Sequence, residues 1–123
     1  MGALTACSAH SEPHSRLAES AWQFVSIDDA SPTSDKAQLT FETDNIGATV
    51  GCNGMGGPWR IADDRIIAGP LIQTEIYCQG PIWAQEKAVS ALLVGAPRFM
   101  LDGDTLVLKS SGHSARLRRI KKP

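Results

Sequence analysis

The sequence predicts an α+β domain dominated by antiparallel sheet, and two patterns carry that reading. Short segments with apolar residues at alternate positions recur between clusters of Gly, Asp, Asn, Ser and Pro, while one segment near Pro81 has helical spacing. The 123 residues amount to one domain. Apolar residues make up 42% and charged residues 20%, which excludes a chain disordered throughout. Lys plus Arg is 12 against 13 for Asp plus Glu, a net charge of −1, so the basic excess of a nucleic-acid binder is missing. The longest apolar runs, about seven residues, are far short of a membrane span.

The elements follow in order. Trp22, Phe24 and Ser26 alternate with Gln23, Val25 and Ile27, a short strand. Asp28 to Asp35 holds Pro32 and several Asp and Ser residues, a loop. Ala37, Leu39, Phe41 and Thr43 form a half-buried strand, Thr43-Asp44-Asn45 turns, and Ile46, Ala48 and Val50 return. The stretch from Gly51 to Pro58 then has four glycines, which implies unusual backbone angles or close packing against other chain. Its spacing fits neither phosphate-binding glycine motif, and a strand follows it where those motifs need a helix. Trp59 to Ile61 and Arg65 to Ile67 read as strands about an Ala62-Asp63-Asp64 turn, and Leu71 to Ile76 as another.

The helix spans residues 81–94. Pro81 suits its first position, where the missing N–H has no partner to lose, and Gly95 and Pro97 stop it. Ile82, Gln85, Val89, Leu92 and Leu93 mark its inner stripe, widened by Ala88 and Ala96. Arg98 to Leu101, Thr105 to Lys109 and Ser114 to Ile120 are the closing strands, joined by Asp102-Gly103-Asp104 and Ser110-Ser111-Gly112 turns.

Residues 1–21 lack a sustained apolar pattern and read as a flexible tether. Leu4-Thr5-Ala6-Cys7 resembles a bacterial lipobox, in which small residues precede the cysteine that receives lipid. Such a motif follows a basic segment and a longer apolar run. Only six residues precede Cys7, which implies a trimmed signal peptide or a misplaced start. N-myristoylation at Gly2 is excluded by Ala6, where that motif needs Ser or Thr. His10 and His14, four apart, read as solvated tail residues, because a zinc site needs four ligands in fixed geometry. A tether from Cys7 reaches at most roughly 45 Å.

Several segments together resemble the META domain family of HslJ-like heat-shock and envelope domains. Trp22 opens the first strand, and Leu39-Thr40-Phe41 fits the second. Gly51-Cys52-Asn53 followed by Gly57 fits the family's "GCN" signature, and Thr74-x-x-x-Cys78 a second one. Glu86 and Leu92 fit the helix, and Asp102-Gly103-Asp104 with Leu106 and Leu108 fits the terminal hairpin. Met55, Trp59 and Ile76-Tyr77 depart from the usual residues, which puts any ligand preference of that loop in doubt. The resemblance spans residues 22–120, with a basic tail at 121–123. It implies a strongly curved, partly open β-barrel covered on one side by the helix. It brings no enzymatic activity, no catalytic residue and no cofactor. It also implies a lipoprotein of the bacterial envelope facing the periplasm, or a secreted domain if no lipid is attached.

Cys52 and Cys78 both lie in signature segments. In an oxidising compartment they would pair, worth roughly 3.5 kcal/mol for a loop of about 25 residues. Two buried thiols or a redox pair are the other readings, though the spacing is unlike Cys-x-x-Cys. A Cys nucleophile would need His113 as its base, and His113 reads as a turn residue. Glu86 with Asp102 or Asp104 could form an acid–base pair only if the fold joined them. Asp102-Gly103-Asp104 lacks the further ligands of a calcium loop and reads as a turn, so no metal is expected. Arg116, Arg118, Arg119, Lys121 and Lys122 could touch anionic lipid but suit a solvated strand and tail. Trp22, Trp59 and Trp83 read as core, or as the lining of a ligand cavity.

The expected function is therefore a non-enzymatic, monomeric envelope lipoprotein domain. It would bind a partner protein or support the envelope under stress, and would touch the membrane only through a lipid at Cys7, with no nucleic acid. The alternative is a carrier of a small apolar ligand inside a half-open barrel.

Overall fold

The computed structural model describes residues 13–121. Among them are helix α1 (Pro13–Leu17), strands β1 (Ser20–Ile27), β2 (Gln38–Phe41), β3 (Asn45–Thr49), β4 (Gly54–Ala62), β5 (Arg65–Ala68) and β6 (Ile72–Gln73), helix α2 (Pro81–Val94), and strands β7 (Arg98–Asp102), β8 (Thr105–Ser110) and β9 (His113–Arg119). Every strand pairing is antiparallel. The ladder runs β3-β2-β1-β9-β8-β7-β5-β4 and closes through β3–β4 into an eight-stranded barrel, with β6 added to β4 beyond β5. Its thinnest seam is β5–β7, where a single register pair, Arg65 with Arg98, is flanked by the Ile66 N–H on Pro97 O (2.9 Å) and the Phe99 N–H on Asp64 O (3.0 Å). Helix α2 connects β6 to β7 and packs on β1, β5, β8 and β9.

An eight-stranded barrel is narrow enough for side chains to fill. Trp22, Leu39, Phe41, Val50, Ile66, Leu106, Leu108 and Leu117 fill it here, and Val89, Leu92 and Leu93 of α2 join them. The helix matches its expected bounds, with Pro81 in its first turn and Gly95 at its end. The Asp102-Gly103-Asp104 and Ser110-Ser111-Gly112 turns also stand where the sequence puts them, with φ of +60° at Gly103 and +77° at Gly112.

Four expectations need correction. The tether was to extend to residue 21, yet α1 is folded onto the barrel: Leu17 is wholly buried, and the His14 ring stacks on Trp59 at 4.3 Å. His14 is thus a packing residue and no solvated tail. Gly2, Cys7, His10 and Lys122 lie outside the described residues. Second, strict alternation put Ile27 on the outer face of β1. A bulge between Phe24 and Ser26 shifts the register, and Ile27 turns inward.

Third, the glycine-rich stretch is largely strand β4, and none of its glycines has positive φ. Close packing is the reason for the glycine at 57: a Cβ there would overlap the carbonyl oxygen of Pro70 as the 69–71 turn crosses β4. Fourth, β6 is only two residues long, where a strand to Ile76 was expected. The next residues stay extended against a side chain in place of a strand.

Candidate functional site

That side chain belongs to Asn53, which is almost wholly buried. Its Oδ1 accepts the Ile76 N–H at 2.7 Å and its Nδ2 donates to Ile76 O at 2.8 Å, so one amide does the work of a β-bridge partner. The same Oδ1 accepts the Thr74 hydroxyl at 2.8 Å, and Thr74 Oγ1 in turn accepts the Gly54 N–H at 3.1 Å. From the other side comes Glu86, a buried carboxylate on the inner flank of α2. Its Oε2 accepts the N–H groups of Cys52 (2.6 Å) and Asn53 (2.7 Å), and its Oε1 accepts Asn53 Nδ2 (3.0 Å). A buried carboxylate is tolerable when hydrogen bonds replace its water, and three N–H donors do so here.

The Cys52–Cys78 disulfide closes the same joint, spanning 6.5 Å between Cα atoms. The two sulfurs and the Glu86 carboxylate lie within 4.8 Å of one another. They offer no metal centre, since the sulfurs are bonded to each other and the carboxylate is taken by N–H donors. The bridge leaves no thiolate at Cys52 or Cys78, and so no Cys nucleophile among the described residues. Gly51 packs against Ile82 of α2, which locks the loop to the start of the helix.

Gly51, Cys52, Asn53, Thr74, Cys78 and Glu86 therefore meet in one joint that fastens the β3–β4 loop, the segment after β6 and α2. The remaining signature residues stand elsewhere. Trp22 is buried in the barrel wall, its Nε1 donating to Ser20 Oγ at 2.8 Å and the Arg119 guanidinium lying 4.4 Å above its ring. Ser20 in turn caps the α1 carbonyl of Leu17. Leu106 is core; Asp102, Gly103 and Asp104 form the β7–β8 turn, where Asp104 meets Arg119 at 3.4 Å and Lys121 at 3.7 Å. Glu86 thus bonds to the loop amides while Asp104 meets Arg119 and Lys121, and no acid–base pair forms between them.

His113 pairs with Asp28 at 2.7 Å, and Asp28 Oδ1 also accepts the Ser114 N–H at 2.9 Å. Partial burial raises the Asp28 pKa, but the His113 hydrogen bond, the Ser114 amide and the His113 charge outweigh it, leaving it below the ordinary carboxylate value. Nothing in the sequence points to this pair. Sequence reasoning also missed Gln85, placed on the inner stripe, which instead holds the 28–35 loop through the Thr33 N–H and Ser31 O (both 2.9 Å).

Beside the joint lies an open groove of about 620 Å³. One wall is Gln73, Thr74 and Glu75; the other is the outer flank of α2, with Trp83, Lys87, Ala91 and Val94 at helical spacing. Trp83 is half-buried, with Tyr77 at 5.4 Å and the Lys87 ammonium 5.2 Å from its ring. Of the three tryptophans, Trp22 and Trp59 are core and Trp83 lines this groove. Sequence reasoning did not place this groove, and its one sign there was Trp83, weighed as the lining of a ligand cavity.

The fold matches two solved structures. One NMR structure aligns with a TM-score of 0.77 and 19% identity over 88% of this chain and 95% of its own. A second, from Burkholderia xenovorans, gives 0.70 and 18% over 92% and 93%. At these identities the likeness is one of fold. A search of curated proteins finds no significant match. The META domain model matches residues 15–122, which includes most of α1, the whole barrel and every residue of the joint. The chain belongs to the META domain family.

Proposed function

We propose that this chain is a non-enzymatic cell-envelope domain, held to a membrane by lipid at Cys7, that works by binding a partner protein. The META domain is not known as an enzymatic family, which fits this reading. The observation that carries it is the apolar surface beside α2. Val94 on the helix wall of the groove is 65% exposed, and Tyr77, 74% exposed, lies 5.4 Å from Trp83 of the same wall. Ile76, next to Tyr77 in the chain, is 59% exposed. Exposed large apolar side chains beside a concavity mark an interaction site. The Cys52–Cys78 bridge suits an oxidising compartment such as the periplasm. The carrier reading has less support, because the barrel interior is filled by Trp22, Phe41 and the core leucines. A small ligand would have to lie in the same outer groove.

The test is photocrosslinking in the native envelope from a reactive residue placed at Tyr77 or Val94, with Arg116 on β9 as the control position. One recurring partner from the first two and none from the third is the expected result. Repeated failure at all three contradicts it. Cys7→Ser should move the protein from the membrane to the soluble fraction, and sedimentation should give a monomer.

A further inference from the structure

We infer that the groove takes its partner as an added β-strand, an extended segment with apolar residues at alternate positions that pairs with the open edge of β6; this rests on the partner-binding reading above. Strand β6 is the end of the sheet order, and among the described residues no strand pairs with its second edge. The register tells which groups that edge presents. Gln73 stands opposite Met55, and the Thr74 N–H reaches Gly54 O at 3.1 Å, so the backbone groups of Ile72 and Thr74 point toward β4. Asn53 holds the N–H and C=O of Ile76 on that same side. Backbone groups alternate along an extended chain, so those of Gln73 and Glu75 point the other way, into the groove. Two outward N–H and C=O sets at a spacing of two are the template for strand addition.

The opposite wall has the matching length. From Trp83 to Val94 the helix rises about 16 Å, the length of about five extended residues. Its apolar side chains, Trp83, Ala91 and Val94, offer a floor for alternate side chains of the incoming strand. Lys87 on that wall and Glu75 on the other give the groove free charges of both signs, since Glu86, which also lines it, is already taken by three N–H donors; this suits a peptide with polar residues between its apolar ones. A small apolar ligand would leave the outward backbone groups without partners, whereas a strand satisfies them.

The probe is a display library of random linear eight-residue peptides, selected on the full-length oxidised protein. Enriched peptides are expected to alternate apolar and polar residues and to shift the backbone amide resonances of Gln73 and Glu75. Gln73→Pro deletes the outward N–H and leaves both neighbours' bonds to β4. It should weaken binding about tenfold, the scale of one net hydrogen bond. Gln73→Ala keeps that N–H and should weaken binding far less than Gln73→Pro, and both variants should melt like the parent. N-methylation of the peptide on its pairing edge should have the same effect as Gln73→Pro.

Three results would overturn the inference: no enrichment; peptides that bind but ignore both Gln73→Pro and N-methylation; or Gln73 and Glu75 amides that shift only with protein concentration, which would make a second copy the occupant. With a partner crosslinked at Val94, the second result would remove strand addition and leave partner binding standing. Absent crosslinks with peptides still bound at the edge would do the reverse.

Discussion

In the β7–β8–β9 hairpins each strand pairs with the next in sequence, through turns of two residues whose glycines have positive φ. Around Asn53 the partners lie 20 to 34 residues apart, and the links are side chain to backbone, carboxylate to amide, and a disulfide. The hairpins can form from local contacts and apolar alternation. The joint forms only when the β3–β4 loop, the segment after β6 and α2 have already converged. The difference separates a part of the molecule that tolerates single losses from one in which each loss exposes buried polar groups.

Replacing both cysteines, Cys52→Ser with Cys78→Ser, should have the largest effect. The loop spans 26 residues, and the chain-entropy model gives a loss of about 3.5 kcal/mol, read by chemical denaturation. Glu86→Ala strips the acceptors from three N–H donors and should cost about 3 kcal/mol in the same assay. Combined with the cysteine replacements it should fall short of the sum, because both act on one joint; strict additivity would mean that the bridge and the carboxylate act independently. Gly57→Ala, which forces β4 away from Pro70, should cost about 2 kcal/mol.

On the hairpin side, Gly103→Ala should cost only about 1 kcal/mol, the strain of a positive φ with open space around it. Asp28→Asn should cost least, under about 1 kcal/mol given its exposure. Its sign is fixed by the lowered Asp28 pKa: the stabilisation is present above the unfolded carboxylate value of 3.8 and is lost as pH falls through the lower folded value. Melting scans between pH 5 and 2 should therefore show a shallower acid decline in Asp28→Asn than in the parent.

The same contrast explains what the sequence could and could not reveal. The Asp102-Gly103-Asp104 turn, the alternation of Thr105 to Lys109 and the Pro81-to-Gly95 helix are legible because their causes are local: turn chemistry, a period of two, a capped end. The bulge after Phe24 and the early end of β6 are not, since neither has a local marker. Glu86 stood out as a match to the family's helix and as an acid–base candidate, and not as a partner of the loop. Its burial follows from two loop amides that arrive from residues 52 and 53. The pairing of Cys52 with Cys78 was open to expectation from their place in the signature segments. Asn53 standing in for a strand was not, because an Asn beside glycines reads first as a turn.

Native-state hydrogen exchange through residues 52–54 and 73–76 reads the joint and the open edge in one experiment, because they make opposite demands on adjacent amides. Cys52, Asn53, Thr74 and Ile76 should be protected, since each N–H has an acceptor. Gln73 and Glu75, one residue away, should exchange far faster, and Glu86→Gln should erode the protected set first at Cys52 and Asn53. Uniform protection from 73 to 76, or an unprotected Ile76, would contradict this arrangement.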